Sequence, residues 1–133
     1  MENEARVTIS CSADIVTARQ RGRELATELG FDGSDLTVIA TAISEVARNV
    51  VTHAKQGEIL IKPVHNGNKR GILVVARDEG PGIKSVEKAM QYGYSTGKGL
   101  GVGLPGAKWL MDEFQIESEI GQGTKVAMKK WLK

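Results

Sequence analysis

Apolar and polar residues alternate in Arg6-Val7-Thr8-Ile9-Ser10, a period of two that predicts a short strand. The period then changes. Ile15, Ala18, Gly22, Leu25 and Leu29 recur at spacings of three and four, which predicts a helix to about Leu29, with capping chemistry from Ser12 and Asp14 and a stop at Gly30. Leu36, Ile39, Ala40, Ile43, Ala47 and Val50 repeat in the same way, so a second helix is expected from a Ser34 cap to about Ala54, its apolar face lying on a sheet. Glu58 to Val64 and Gly71 to Ala76 read as strands joined by His65-Asn66-Gly67-Asn68. Ile72-Leu73-Val74-Val75-Ala76 is apolar on both faces and should be central. Pro105 suits the first turn of a helix to about Glu113, and Phe114 to Ile120 and Lys125 to Leu132 form a hairpin over Gly121-Gln122-Gly123. The expected fold class is an α/β two-layer sandwich with a mixed, mainly antiparallel sheet and its helices on one face.

Composition narrows the function classes. A chain of 133 residues holds one core, so residues 1–133 are expected to form a single domain. A net charge of +2 and few aromatic residues point to no nucleic-acid or membrane partner. Cys11 is the only cysteine, which excludes an internal disulfide and a cysteine-cluster metal site and fits a reducing compartment. The start of the chain is polar and no apolar run approaches the ~18 residues of a membrane span, so a cytoplasmic location is expected. Arg19, Arg21 and Arg23 lie outside the apolar stripe of the first helix and read as a solvated face. Glycine is the outlier: sixteen residues, six of them between Gly93 and Gly106.

Four short patterns carry candidate chemistry. On the second helix Glu45 and Asn49 are four residues apart, hence about 40° apart around the axis, and should face away from the stripe centred on Ile43 and Ala47. Asp78 ends the most hydrophobic strand and is followed by Glu79-Gly80-Pro81-Gly82, where Gly80 and Gly82 let another group approach the backbone; a carboxylate there can accept a hydrogen bond from an exocyclic amine such as that of adenine. Gly97-Lys98-Gly99-Leu100-Gly101-Val102-Gly103-Leu104-Pro105-Gly106 leads into a helix start, where open N–H groups and the helix dipole make a phosphate cradle and Lys98 supplies a point charge. Gly121-Gln122-Gly123-Thr124, by itself, is a hairpin signal. Gly101-x-Gly103-x-x-Gly106 spells the dinucleotide pattern without the strand that should precede it, and Gly97-Lys98 lacks the spacing and the following Ser or Thr of a P-loop.

In this order, Glu-x3-Asn, Asp-x-Gly-x-Gly, Gly-x-Gly-x-Gly and Gly-x-Gly-Thr, the set resembles the ATP-binding fold of the GHKL (Bergerat) family, across nearly the whole chain. That resemblance implies ATP and Mg²⁺ as cofactors. It implies that Asp78 contacts the adenine amine, that Asn49 ligates Mg²⁺, that Gly99, Leu100, Gly101, Val102, Gly103 and Leu104 wrap the triphosphate with Lys98, and that Thr124 backs the adenine pocket through water. Histidine kinases and topoisomerase- or chaperone-type ATPases of the family need further domains that 133 residues do not hold. His53 and His65 are read as non-catalytic. Glu45 is then the natural general base for phosphoryl transfer to a hydroxyl, which points to a protein serine/threonine kinase. Lys98 ranks ahead of Arg48 as the contact to the γ-phosphate.

Within the family, Asp14-Ile15-Val16, Ala18-Arg19, Gly22-Arg23, Glu28-Leu29-Gly30-Phe31 and the run from Gly103-Leu104-Pro105-Gly106 to Asp112-Glu113-Phe114 are similar to the stressosome switch kinases, as is the short stretch between Gly82 and Gly97. That resemblance implies STAS-domain proteins as substrates and, once the kinase is released from them, a downstream effector such as a PP2C-type phosphatase. The competing expectation is an anti-sigma factor, either a sigma-binding serine kinase or a non-catalytic nucleotide-dependent switch.

Overall fold

The computed structural model describes residues 4–54, 56–80 and 103–133. β1 (Ala5–Ile9) leads into α1 (Ser12–Leu29) and α2 (Ser34–His53). The hairpin β2 (Gly57–Asn66) and β3 (Lys69–Asp78) follows, and α3 (Gly103–Leu110), β4 (Glu113–Glu119) and β5 (Gly123–Trp131) complete the described order. The strands lie in the order β1-β2-β3-β5-β4, with β3 central as its two-sided apolar pattern predicts.

The two-layer α/β architecture is as expected, but the sheet is not mixed: every described pairing is antiparallel. The reason lies in the connections. A single crossover helix returns a strand parallel to its predecessor, whereas two antiparallel helices in succession, as between β1 and β2, return it antiparallel, and β2–β3 and β4–β5 are hairpins.

Burial alternates along the strands, so one face of the sheet is covered. Ile59, Ile61, Ile72, Val74 and Met128 from that face pack with Ile39, Ile43, Val46 and Val50 of α2 and with Ala18 and Leu25 of α1. Each such isoleucine, leucine, valine or methionine side chain removed from water contributes about 1.5–3 kcal/mol, which is why the helical and strand periods are readable. At Gly22 a Cβ would strike Ile43, so glycine sets the close approach of α1 to α2. The opposite face keeps half-buried Leu60, Leu73, Val75 and Ala127 among charged groups. There Arg6 and Arg77 both pair with Glu58, at 3.0 and 3.2 Å. No helix among the described residues is long and apolar enough to cross a membrane.

Several element ends differ from expectation. Cys11, not Ser12, is the N-cap of α1, and Asp14 completes a capping box, its Oδ2 accepting from the N–H groups of Ser10 (2.8 Å) and Cys11 (3.2 Å). The bond from the Ser10 N–H, foremost, holds the Asp14 carboxyl below its ordinary range. Gly30 stops the helix in the left-handed region as expected, at φ 109°. Gly33 (φ 54°) rather than Ser34 is the N-cap of α2; Ser34 is the first helical residue. β2 and β3 run longer than their apolar cores suggested and leave only Gly67-Asn68 as the turn. α3 stops at Leu110, short of Glu113, because the Asp112 N–H already donates to the Lys129 carbonyl (2.9 Å) and draws the chain into the sheet.

Candidate functional site

Two acidic side chains that the sequence singled out are buried, and each is held by groups from other parts of the chain. Asp78 ends β3, opposite Gly57 of β2 and Thr124 of β5, on the face the helices cover. It is 7% exposed. Its Oδ1 accepts two backbone hydrogen bonds, from Gly80 N–H at 2.9 Å and Thr124 N–H at 3.2 Å. Among the described residues nothing donates to Oδ2, which leaves an oriented acceptor at the end of the sheet. A carboxylate oxygen of this kind, on a residue otherwise buried, fits a donor such as an exocyclic amine.

Glycines permit this crowding at two points. A Cβ on Gly80 would lie 2.5 Å from the Ala54 Cβ, so the chain after Asp78 passes directly against the end of α2. Gly123 has φ 112°, and a Cβ there would overlap the Asp78 carbonyl oxygen and lie 2.8 Å from Glu79 Cα. Thr124, 6% exposed, follows it, and its Oγ1 lies 2.8 Å from Ser118 Oγ. A cavity of about 710 Å³ opens here, lined among others by Asp78, Ile116, Ser118, Gln122, Gly123 and Thr124.

Glu45 was expected on the helix face away from the apolar stripe. It is on that side of α2 but is not solvated: only 7% of it is exposed, because α3 packs over it. Its Oε1 accepts from the Gly103 N–H at 2.9 Å, and its Oε2 accepts from Arg48 Nη1 at 2.7 Å. Each carboxylate oxygen has two lone-pair directions, and among the described residues each takes one donor. Gly103 was expected in the phosphate cradle; its N–H donates to Glu45, and its φ of 70° turns the chain into α3. Leu104 is buried in the core, where only its backbone could meet a phosphate. Gly82, Lys98, Gly99, Leu100, Gly101 and Val102 lie outside the described residues.

Asn49, one turn beyond Glu45, is half-buried. Its amide oxygen is a hard donor of the kind Mg²⁺ takes alongside phosphate oxygens and waters, so the residue fits that ion. Among the described residues no group of three or more His, Cys, Asp or Glu side chains stands ready to hold a metal. His53 is half-buried at the end of α2, and His65 is exposed within β2 rather than in the turn.

The fold and these two carboxylates can be set beside known proteins. Residues 10–130 match the histidine kinase-like ATPase domain. The chain belongs to that family. The serine/threonine-protein kinase RsbT of Bacillus subtilis is 48% identical to it over 133 residues, covering 100% of both chains. The anti-sigma F factor of a Thermoanaerobacter species is 39% identical over 104 residues, 74% of this chain and 71% of that one. A crystal structure of the RsbU and RsbW domains of a Mycobacterium tuberculosis protein superposes with a TM-score of 0.61 at 25% identity, covering 98% of this chain and 32% of that one. A mycobacterial sensor histidine kinase, MprB, shares the fold at a TM-score of 0.57 and 13% identity, covering 98% of this chain and 97% of that one. The enzyme class follows from the family and the full-length match: a protein serine/threonine kinase built on an ATP-binding domain.

Three contributors escaped the sequence reading. Arg48 pairs with Glu45, and its i,i+3 spacing from that residue is a readable pairing signal. Ser118 becomes visible only through the β4–β5 register that sets it opposite Thr124. Gly57 sits where a Cβ would crowd the Arg77 carbonyl oxygen and come within 2.8 Å of Val50 Cγ1, so it lets α2 rest on the Asp78 end of the sheet.

Proposed function

We propose that this chain is the ATP-dependent serine/threonine kinase of a bacterial partner-switching pathway of the stressosome type. It phosphorylates STAS-domain proteins and, once released from them, activates a downstream effector such as a PP2C-type phosphatase. The observation that carries this reading is the 48% identity, end to end, with the Bacillus subtilis kinase. The cytoplasm is the compartment in which such a pathway operates.

In this reading Asp78 takes the adenine amine through Oδ2, its other oxygen being fixed by Gly80 and Thr124. Thr124 backs the same pocket. Asn49 holds Mg²⁺, which when bound neutralises phosphate charge, and the segment with Lys98, Gly99, Leu100, Gly101 and Val102 contacts the phosphates. Glu45 accepts the proton of the substrate hydroxyl as its oxygen bonds to the γ-phosphorus and the bond to the bridging oxygen of ADP breaks. The Arg48 and Gly103 contacts keep the carboxylate in one orientation, so no freedom is lost when the hydroxyl arrives. The engagement of Arg48 by Glu45 supports Lys98 as the γ-phosphate contact.

The second reading, an anti-sigma factor, draws on the 39% identity to an anti-sigma F factor. One experiment separates the two. The tagged chain is recovered from bacterial lysate with ATP present, and its companions are identified and tested for phosphate incorporation. A STAS protein that becomes phosphorylated on serine or threonine is expected; a sigma factor that co-purifies while no STAS protein is modified would overturn the first reading.

A further inference from the structure

Ser118 stands opposite Thr124 across the β4–β5 hairpin, with 2.8 Å between their hydroxyl oxygens. Ser118 Oγ also lies 3.2 Å from the Gly123 carbonyl oxygen, which can only accept. A serine hydroxyl has one proton. Both contacts are therefore hydrogen bonds at the same time in one direction only: Ser118 donates to the Gly123 carbonyl, and Thr124 donates to Ser118. The Thr124 proton is then spent, and its oxygen offers lone pairs to the cavity. Asp78 Oδ2, on the neighbouring strand, is likewise an acceptor.

We propose that Ser118 is a specificity-determining positioning residue: by taking the Thr124 proton it leaves Thr124 Oγ1, like Asp78 Oδ2, able only to accept, which selects a purine bearing a 6-amino group over one bearing a 6-oxo group. The inference rests on the reading of Asp78 and Thr124 as the adenine site. An adenine amine donates to Asp78 Oδ2. Thr124 accepts from the base or from one intervening water, whose second proton then meets the lone pair at N1. A hypoxanthine base reverses both ends, bringing an oxygen to the carboxylate and an N–H where a donor already points. A buried polar group left facing its own kind is what makes such discrimination steep.

The test measures dissociation constants for ADP and for IDP with the wild-type chain and with Ser118→Ala, Ser118→Thr and Asp78→Asn, each checked for a native melting transition. Wild type is expected to prefer ADP. In Ser118→Ala the Thr124 proton is released to serve the 6-oxo group, and the preference falls about threefold to tenfold, the scale of one hydrogen bond. Ser118→Thr keeps a hydroxyl and retains the preference. A folded Ser118→Ala chain with the wild-type preference, while Asp78→Asn loses it, would overturn the role of Ser118 and leave the adenine pocket standing. Equal loss in the alanine and threonine variants would also overturn it, since side-chain size rather than proton direction would be responsible. A wild-type chain with no preference would overturn the pocket reading and the inference together.

Discussion

Asp78 and Glu45 are buried to the same degree, each with one bond to an N–H from a distant part of the chain, yet they are built differently. Asp78 is held at the end of the sheet: among the described residues one donor is its own ladder partner Thr124, and the other, Gly80, lies two residues on. Glu45 is held between elements, by Arg48 on its own helix and by Gly103, 58 residues away at the start of α3. The difference teaches that the end proposed for base recognition is fixed by strand register, whereas the end proposed for transfer depends on where α3 stands. Binding and chemistry should therefore be separable by substitution.

The largest effect is expected from Glu45→Ala. As the general base it should cost phosphoryl transfer about 10²- to 10⁴-fold while leaving ATP affinity within about threefold, by single-turnover assay and titration calorimetry. Next comes Asp78→Asn. The amide oxygen can still accept from Gly80 and Thr124, so the fold should survive, but a hydrogen bond to a charged acceptor is lost and ATP affinity should fall about 10- to 100-fold. Unchanged affinity in a folded variant would remove Asp78 from the pocket.

Smaller effects probe the scaffold. Gly123→Ala forces a Cβ into the left-handed region against the Asp78 carbonyl, and a loss of about 2 kcal/mol or more is expected in chemical denaturation. The smallest effect is at Asp14, where the pH dependence has a definite sign. Its folded carboxyl titrates below the ordinary 3.8, so its contribution is complete above that pH and fades as pH falls through the lower, folded value. The stability gap between wild type and Asp14→Ala should accordingly be constant near neutrality and close in acid; a gap that widened in acid would contradict the cap.

What the sequence revealed follows the range of the interaction. The stripes of α1 and α2 and the apolar run in β3 are local periodicities imposed by one large core, and they were legible. The Asp78 and Thr124 motifs were legible too, but not that the two residues are ladder partners, because β5 inserts between β3 and β4 and nothing local announces that order. The burial of Glu45 was hidden for the same reason: the helix that covers it comes much later in the chain. Errors at helix starts came from backbone chemistry, since Gly33 caps α2 through its positive φ and Cys11 through an extended conformation, where a serine had been the expected cap at each.

The measurement that tests the separation most directly is single-turnover phosphoryl transfer as a function of ATP concentration, run in parallel on Glu45→Ala and Asp78→Asn. Opposite outcomes are expected: Glu45→Ala loses the maximal rate and keeps the half-saturating ATP concentration, and Asp78→Asn raises that concentration far more than it lowers the maximal rate. Two variants that shift the same parameter by the same factor would contradict it.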